Sequence, residues 1–210
     1  MVIKTDFFES APTAQLAKKL LGVVLTVTTK VGPLRAVIVE TEAYVGQLDA
    51  ADHGYGGRIT RKNRALFAAP GTVFTYQMHR QTLLNFVTQA VGDPQGILIR
   101  AVQPIEGLSA MTQNRPKTGP ALTNDPGKLT QALGLTMALN GRLLPETPLT
   151  LSWDPIFQPR EVQTAPRIGI ANKGSWTAAP LRFLVAGNPF VSKQLKRDMD
   201  LDHYGWRSNN

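Results

Sequence analysis

Eight short stretches of the sequence have the hydrophobic pattern of β-strands, and in some of them, such as residues 23–29, hydrophobic and polar residues alternate with a period of two. The predicted strands cover residues 23–29, 34–44, 72–78, 83–88, 97–102, 149–153, 167–170 and 181–185. Short turns join residues 23–29 to 34–44 and residues 72–78 to 83–88, as in β-hairpins, so the sheet is expected to be mostly antiparallel.

Helical spacing of apolar residues predicts three helices, at about 11–21, 104–111 and 126–133, with Ser10 and Asp125 as expected caps. We therefore predict an α+β fold: a mostly antiparallel, curved β-sheet with flanking helices and a protruding β-hairpin. A chain of 210 residues with 42% hydrophobic content can bury roughly 70% of its unfolded surface. One domain over residues 1–210 is expected, with a frayed end from about Asp198.

Lys and Arg number 23 against 15 Asp and Glu, giving a net charge of +8. Such a charge favours a polyanionic partner without naming it. The sequence has no Cys, which excludes disulfides and thiolate metal ligands. The first residues lack a basic segment followed by an apolar run, and no stretch of eighteen apolar residues occurs, so we expect a cytoplasmic protein that does not bind a membrane.

Residues 38–44 form an unusual strand, because alternation places Glu40, Glu42 and Tyr44 on one face. The simpler interpretation is that this face meets solvent. A carboxylate beside an aromatic ring could instead activate water next to a flat ligand, and His53 in the following loop could belong to the same site or be only structural.

A Gly-rich segment follows, with four cations in seven residues. These are Arg58, Arg61, Lys62 and Arg64. Cationic side chains next to glycines are typical of phosphate contacts, but the same composition fits a solvated loop equally well.

The predicted hairpin at 72–88 has Met78, His79 and Arg80 at its tip, where a core does not require them. Proteins that distort DNA from the minor groove insert such side chains between bases. An ordinary turn above a core containing Tyr76 explains the same pattern.

Several motifs occur in one order along the chain. They are Glu40-Thr41-Glu42-Ala43-Tyr44, His53, Gly57-Arg58, Asn63-Arg64, Pro70-Gly71-Thr72, Tyr76, Asn85, Leu98-Ile99-Arg100-Ala101, Pro104, Glu106-Gly107, Gly127-Lys128-Leu129, Arg167-Ile168-Gly169 and Pro180-Leu181-Arg182-Phe183. In this order and spacing the chain resembles the alkyladenine type of 3-methyladenine DNA glycosylase, from about residue 8 to residue 193.

The resemblance implies a monomeric DNA-repair enzyme of base excision repair that needs no cofactor or metal. Such an enzyme binds double-stranded DNA, flips an alkylated or deaminated purine out of the helix and hydrolyses its N-glycosidic bond. The implied lesions are 3-methyladenine, 7-methylguanine, hypoxanthine and etheno-adenine.

The resemblance also implies roles for individual residues. Glu42 would be the general base, while Arg100 and the carbonyl of Ile168 would contact the attacking water. Arg100 would also hold the pKa of Glu42 down.

In the implied base pocket, Tyr44 and His53 lie on one side of the purine and Tyr76 on the other, and Asn85 disfavours normal guanine. The implied DNA contacts come from Met78, His79, Arg58, Arg61, Lys62, Arg64 and Lys128.

Two positions depart from the family pattern. The residue expected to intercalate is His79, beside Met78, which leaves the identity of the wedge open. Asp125 stands where Gly is common, and we interpret it as a helix cap.

Two other functions remain open on the residues alone. A non-catalytic module could use the basic surface to hold nucleic acid. A carbohydrate hydrolase could use Glu40 and Glu42 as an acid pair, although alternate residues of a strand lie only about 7 Å apart and the charge would be unexplained.

Overall fold

A computed structural model describes residues 1–208, and an antiparallel β-sheet dominates this part of the chain. Its strands are β1 (Val23–Thr29), β2 (Gly32–Tyr44), β3 (Val73–Met78), β4 (Gln81–Thr88), β5 (Gln95–Glu106), β6 (Leu149–Trp153), β7 (Val162–Ala165) and β8 (Arg182–Val185). The α-helices are α1 (Thr13–Lys19), α2 (Leu108–Asn114) and α3 (Pro126–Ala132). The predicted α+β class is confirmed.

The long strand β2 is the centre of the sheet, whose order is β3-β4-β5-β2-β1-β6. One edge of β2 pairs with β5. Its other edge pairs first with β1 and then, at Glu40 to Glu42, with β8, which also pairs with β7. Strands on both sides therefore hold the two acidic residues in place.

Of the two predicted helix caps, one is correct and one is wrong. Asp125 caps α3, since its carboxylate accepts a hydrogen bond of 3.0 Å from the amide of Gly127. Ser10 does not cap α1, whose N-cap is Pro12. The hydroxyl of Ser10 instead donates to the carbonyl of Phe7 and ends a short 3-10 helix.

The helix predicted at 104–111 begins later, because β5 continues through Pro104 to Glu106. A proline fits there because β4 no longer pairs with β5 at this point and the register against β2 shifts. No strand forms at 167–170, where Gly169 has a φ of 83°. The neighbouring β7, which is mostly exposed, was missed because it lacks apolar alternation.

The main hydrophobic core lies between the sheet and the helices, with Phe8, Leu16, Phe86 and Phe183 fully or almost fully buried. On one face of β2 the hydroxyl of Thr41 donates to the carbonyl of Ala17 in α1, at 2.9 Å. That face belongs to the core, so the face carrying the acids is the opposite one.

A smaller cluster supports the far end of the sheet. It consists of Leu66, Phe67, Phe74 and Val87, with Tyr76 packed against it. This cluster packs against the strand that carries Tyr76.

Part of the segment expected to fray is packed, whereas Leu201, Asp202 and His203 are exposed. Trp206 is buried and its indole donates to Gln103 at 3.0 Å, while Asn188 donates to the carbonyl of Tyr204 at 2.9 Å. Asn209 and Asn210 lie outside the described residues. Within residues 1–208, no helix is both long enough and apolar enough to cross a membrane.

The turn between β3 and β4 consists of His79 and Arg80, with φ values of 50° and 64°. Two positive φ angles are what a type I′ turn requires, and residues other than Gly, Asn, Asp and His are unfavourable there. Arg80 therefore keeps its exposed side chain at a cost in backbone energy.

We expect Arg80→Gly to raise the free energy of unfolding by up to about 1 kcal/mol, because glycine adopts a positive φ without a steric penalty. Chemical denaturation measures the change. As a control, Gln77→Gly on the adjacent strand should destabilise the protein, and a destabilised Arg80→Gly protein would contradict the strained turn.

Candidate active site

Glu40 and Glu42 are completely buried, each with 0% of its surface exposed. The interpretation that this face of the strand meets solvent is therefore wrong. Two buried carboxylates need cations or hydrogen-bond donors, since an unpaired buried charge is very costly.

Arg100 on β5 lies between the two acids. Its Nε is 3.4 Å from Oε1 of Glu40, and its Nη1 is 3.3 Å from Oε1 of Glu42. Glu40 is also bound by Arg182 on β8 at 2.8 Å and by the amide of Ser192 at 2.8 Å. Both oxygens of Glu40 are thus bound by partners from β5, β8 and the backbone amide of Ser192.

Glu42 has two further partners, one for each oxygen. The amide of Ile168 donates to Oε1 at 2.7 Å, and the hydroxyl of Tyr44 donates to Oε2 at 2.9 Å. In the structure the backbone amide of Ile168 binds Glu42. The predicted contact of the Ile168 carbonyl with a water molecule stays a prediction.

Burial raises the pKa of Glu42 above its ordinary value. Arg100, the amide of Ile168 and the hydroxyl of Tyr44 oppose this rise, while the nearby charge of Glu40 adds to it. The expected effect of Arg100 on the pKa is present, but burial outweighs it.

A cavity of about 370 Å³ opens beside Glu42. It is bordered by Glu42, Tyr44, Ala51, His53, Tyr76, Gln77, Met78, His79, Leu83, Leu98, Arg100, Pro126, Ile168, Gly169 and Ile170. Its volume is within the range of small-molecule sites. The cavity brings together the predicted base, its cation, three aromatic side chains and both candidate wedge residues.

The aromatic side chains are arranged differently from the prediction. The rings of His53 and Tyr76 touch, with centroids 4.4 Å apart, and Phe74 lies 6.0 Å from His53. A base cannot fit between His53 and Tyr76 at that separation, so these two form one wall together. Burial lowers the pKa of His53 and raises that of Tyr76, which favours the neutral form of both rings.

Asn85 lies behind this wall and does not border the main cavity. It is buried, and its amide donates to the carbonyl of Phe74 at 3.1 Å. A separate void of about 10 Å³ connects it to Tyr44, His53 and Tyr76. Asn85 would therefore meet only a ligand that reaches the deepest part of the site.

Comparisons with known proteins identify the family of this chain. The sequence profile of the methylpurine-DNA glycosylase family matches residues 6–189. This chain belongs to that family. It is a DNA glycosylase, a hydrolase of DNA repair.

Three bacterial relatives carry the provisional name 3-methyladenine DNA glycosylase. The relative from Lactiplantibacillus plantarum is 50% identical over 95% of this chain and 96% of its own length. Those from Staphylococcus saprophyticus and Enterococcus faecalis are 45% and 43% identical, each over 96% of this chain and over 99% and 89% of their own lengths.

The candidate site includes one pair that the sequence did not predict. Arg167 and Asp49 form an ion pair with no exposed surface, although 118 positions separate them. The Arg167 guanidinium also lies 4.7 Å from the ring centroid of Tyr44. The only hint in the sequence was the Arg-Ile-Gly motif, which carries no indication of its acidic partner.

Asp52 holds the loop that presents His53. Its carboxylate accepts hydrogen bonds from the amides of Gly46 and Gly54, at 2.9 and 2.7 Å. Burial, which outweighs these two bonds, raises the pKa of Asp52 to about 7.

The four cations predicted to contact phosphates lie outside the cavity, and all four are exposed. Asn63 ties their loop to the site, because its amide donates to the carbonyls of His53 at 2.8 Å and Arg58 at 2.9 Å. Lys128, on α3, is half-buried and bonded to Asn124 at 2.8 Å.

Proposed function

We propose that this glycosylase flips alkylated or deaminated purines out of duplex DNA and hydrolyses their N-glycosidic bond, leaving an abasic site. The substrates would be 3-methyladenine, 7-methylguanine, hypoxanthine and etheno-adenine. The observation that carries the proposal is the position of Glu42, a buried carboxylate that borders an aromatic cavity large enough for a small molecule.

In the proposed reaction Glu42 accepts a proton from a water molecule while the water oxygen bonds to C1′ of the flipped nucleotide. The bond from C1′ to the base nitrogen breaks, and the base leaves with its electron pair. A carboxylate has about four acceptor positions, of which Arg100, Ile168 and Tyr44 occupy three. One position therefore remains for the water.

The negative charge of Glu42 has a second proposed role, because glycosidic cleavage develops positive charge on the sugar. Purines alkylated at N3 or N7 already carry a positive charge and leave readily. Hypoxanthine and etheno-adenine are neutral and would take up a proton from the solvent as they depart.

Duplex DNA is the proposed partner, bound by a monomer. The exposed cations Arg58, Arg61, Lys62 and Arg64 would contact phosphates. Extruding a base costs a few kcal/mol, and stacking on an aromatic ring returns about 1–3 kcal/mol. We propose that His79 or Met78, which are exposed at the mouth of the cavity, fill the vacated space.

A carbohydrate hydrolase with Glu40 and Glu42 as an acid pair is not supported. Glu40 does not border the cavity, and both of its oxygens are bound by Arg182, Arg100 and Ser192. It is therefore not available to protonate a leaving group.

Glu42→Gln is expected to slow release of hypoxanthine from a duplex by about 10²–10⁴-fold, since an amide cannot accept the proton from water. Single-turnover assays that detect abasic sites measure the rate, and gel-shift titration should show retained binding to the lesion duplex. Glu106→Gln, at an exposed ion pair with Arg35, is the matched control. Release at the wild-type rate by Glu42→Gln would show that Glu42 is not the base.

The rate should also fall as the pH is lowered through a midpoint above 4.5, the ordinary pKa of this group. The sign follows because burial raises the pKa and only the ionised carboxylate can accept a proton. The measurement is the single-turnover rate against pH, with unfolding followed in parallel. A rate that stays constant to below about pH 4 in folded protein would contradict the assignment.

His79→Ala is expected to weaken capture of a lesion duplex by about tenfold while changing affinity for undamaged DNA much less, because a wedge acts only on a flipped base. Fluorescence anisotropy against both duplexes at several salt concentrations measures the two effects. His203→Ala, at an exposed histidine outside the cavity, serves as the control. Equal losses on both duplexes would identify His79 as a phosphate contact.

A further inference from the structure

We propose that the buried pair of Asp49 and Arg167 positions both oxygens of Glu42 through the two groups that bind them. Arg167 is a positioning residue in this proposal, which rests on the proposed role of Glu42. It assigns a role in the reaction to two residues that lie outside the main cavity.

The pair itself is held from several directions. Two nitrogens of the Arg167 guanidinium meet the two oxygens of Asp49, with the Nη2 contact at 2.9 Å. The same carboxylate accepts hydrogen bonds from the amides of Ala51 at 3.0 Å and Val45 at 3.3 Å. Asp49 therefore fixes the plane of the guanidinium against the loop that follows β2.

Arg167 reaches Oε2 of Glu42 through Tyr44. Its guanidinium donates to the carbonyl of Ala43 at 3.1 Å and lies over the ring of Tyr44. A cation over an aromatic face is attractive and restrains the ring. The hydroxyl of that ring donates to Oε2 at 2.9 Å.

Arg167 reaches Oε1 of Glu42 through the next residue in the chain. Ile168 follows it directly, and its amide donates to Oε1 at 2.7 Å. With Arg167 anchored to Asp49 and Ala43, the position of this amide is restrained as well. Both oxygens of Glu42 thus depend on one guanidinium, in addition to the direct contact from Arg100.

The pair needs an arginine because a flat, forked group is required. A lysine keeps the charge but can neither bind both oxygens of Asp49 in one plane nor cover the ring of Tyr44. A buried ion pair gains little stability over apolar packing. The flat, forked shape of the guanidinium, and not the stability of the ion pair, is therefore the property through which Arg167 acts on Glu42.

The charge at Glu42 is influenced by several groups around it. These are Arg100 from β5, Glu40 and Tyr44 from β2, Tyr76 from β3 and Arg167 from the loop before β8. Arg167→Lys leaves all of these charges in place, so a change in the pH profile would report the loss of position and not of charge.

We expect Arg167→Lys to slow base release from a hypoxanthine duplex by about ten- to a hundredfold, because small displacements of a reacting group are costly. The acid limb of the pH profile should move upward by about 0.5–1 unit, since hydrogen bonds from Tyr44 and Ile168 lower the pKa of Glu42. Affinity for undamaged duplex should stay within about twofold. Arg35→Lys, at the exposed ion pair with Glu106, is the matched control.

Coupling to Tyr44 gives a second readout. If Arg167 acts partly through the tyrosine hydroxyl, the effects of Arg167→Lys and Tyr44→Phe on the rate should be less than additive in a double-mutant cycle. Rates are compared at a temperature at which thermal melts show every variant folded. Should Arg167→Lys not fold, Asp49→Asn, which keeps the side-chain volume, replaces it in the cycle with the same expected loss of rate and the same coupling.

The outcomes separate the two proposals. A wild-type protein that releases no base from any of the four lesions would overturn the proposed function. An active wild type with an Arg167→Lys variant that melts earlier but keeps the wild-type rate and acid limb would show that the pair is only structural. Strictly additive effects with Tyr44→Phe would exclude the route through Tyr44.

Discussion

Two acidic side chains buried inside the sheet set the main constraint on this protein. Glu40 and Glu42 have no exposed surface, and Arg100 lies between them. Because buried charges are tolerated only with partners, β8 must pair with β2 to supply Arg182 to Glu40. Sheet topology and the chemistry of the site are thus linked, since the same strand pairings that complete the sheet also compensate the acids.

The other groups of the site come from two kinds of element, the strands of the sheet and the loops. The sheet supplies the carboxylate and its cation on rigid strands, whereas loops supply His53 and the amide of Ile168. The exposed cations at 58–64 lie outside the cavity that the carboxylate borders. A basic surface attracts a polyanion at long range, whereas the buried carboxylate of Glu42 meets only groups that enter the cavity.

The strands around the site could mostly be predicted from the sequence because of their apolar and β-branched content, but the burial of both faces of β2 could not, since its alternating acids resemble a face that meets solvent. Asp125 was also predictable from local chemistry, although the same reasoning failed for Ser10, which ends a 3-10 helix instead. The pair of Asp49 and Arg167 could not be predicted, because nothing local links residues 118 positions apart. Similarly, the contact of His53 with Tyr76 depends on how a loop folds over β3. Pro104 was misleading because proline is normally excluded from strands, but a register shift accommodates it here.

The central claim is that the carboxylate of Glu42 lies beside C1′ of a nucleotide turned out of the duplex. A crystal structure of the Glu42→Gln protein with a hypoxanthine-containing duplex tests it most directly. We predict the purine inside the cavity, with Tyr44 on one side and the His53–Tyr76 wall on the other, and the substituted side chain of the variant next to C1′. A purine that remains stacked in the helix, or one bound away from this cavity, would contradict the account.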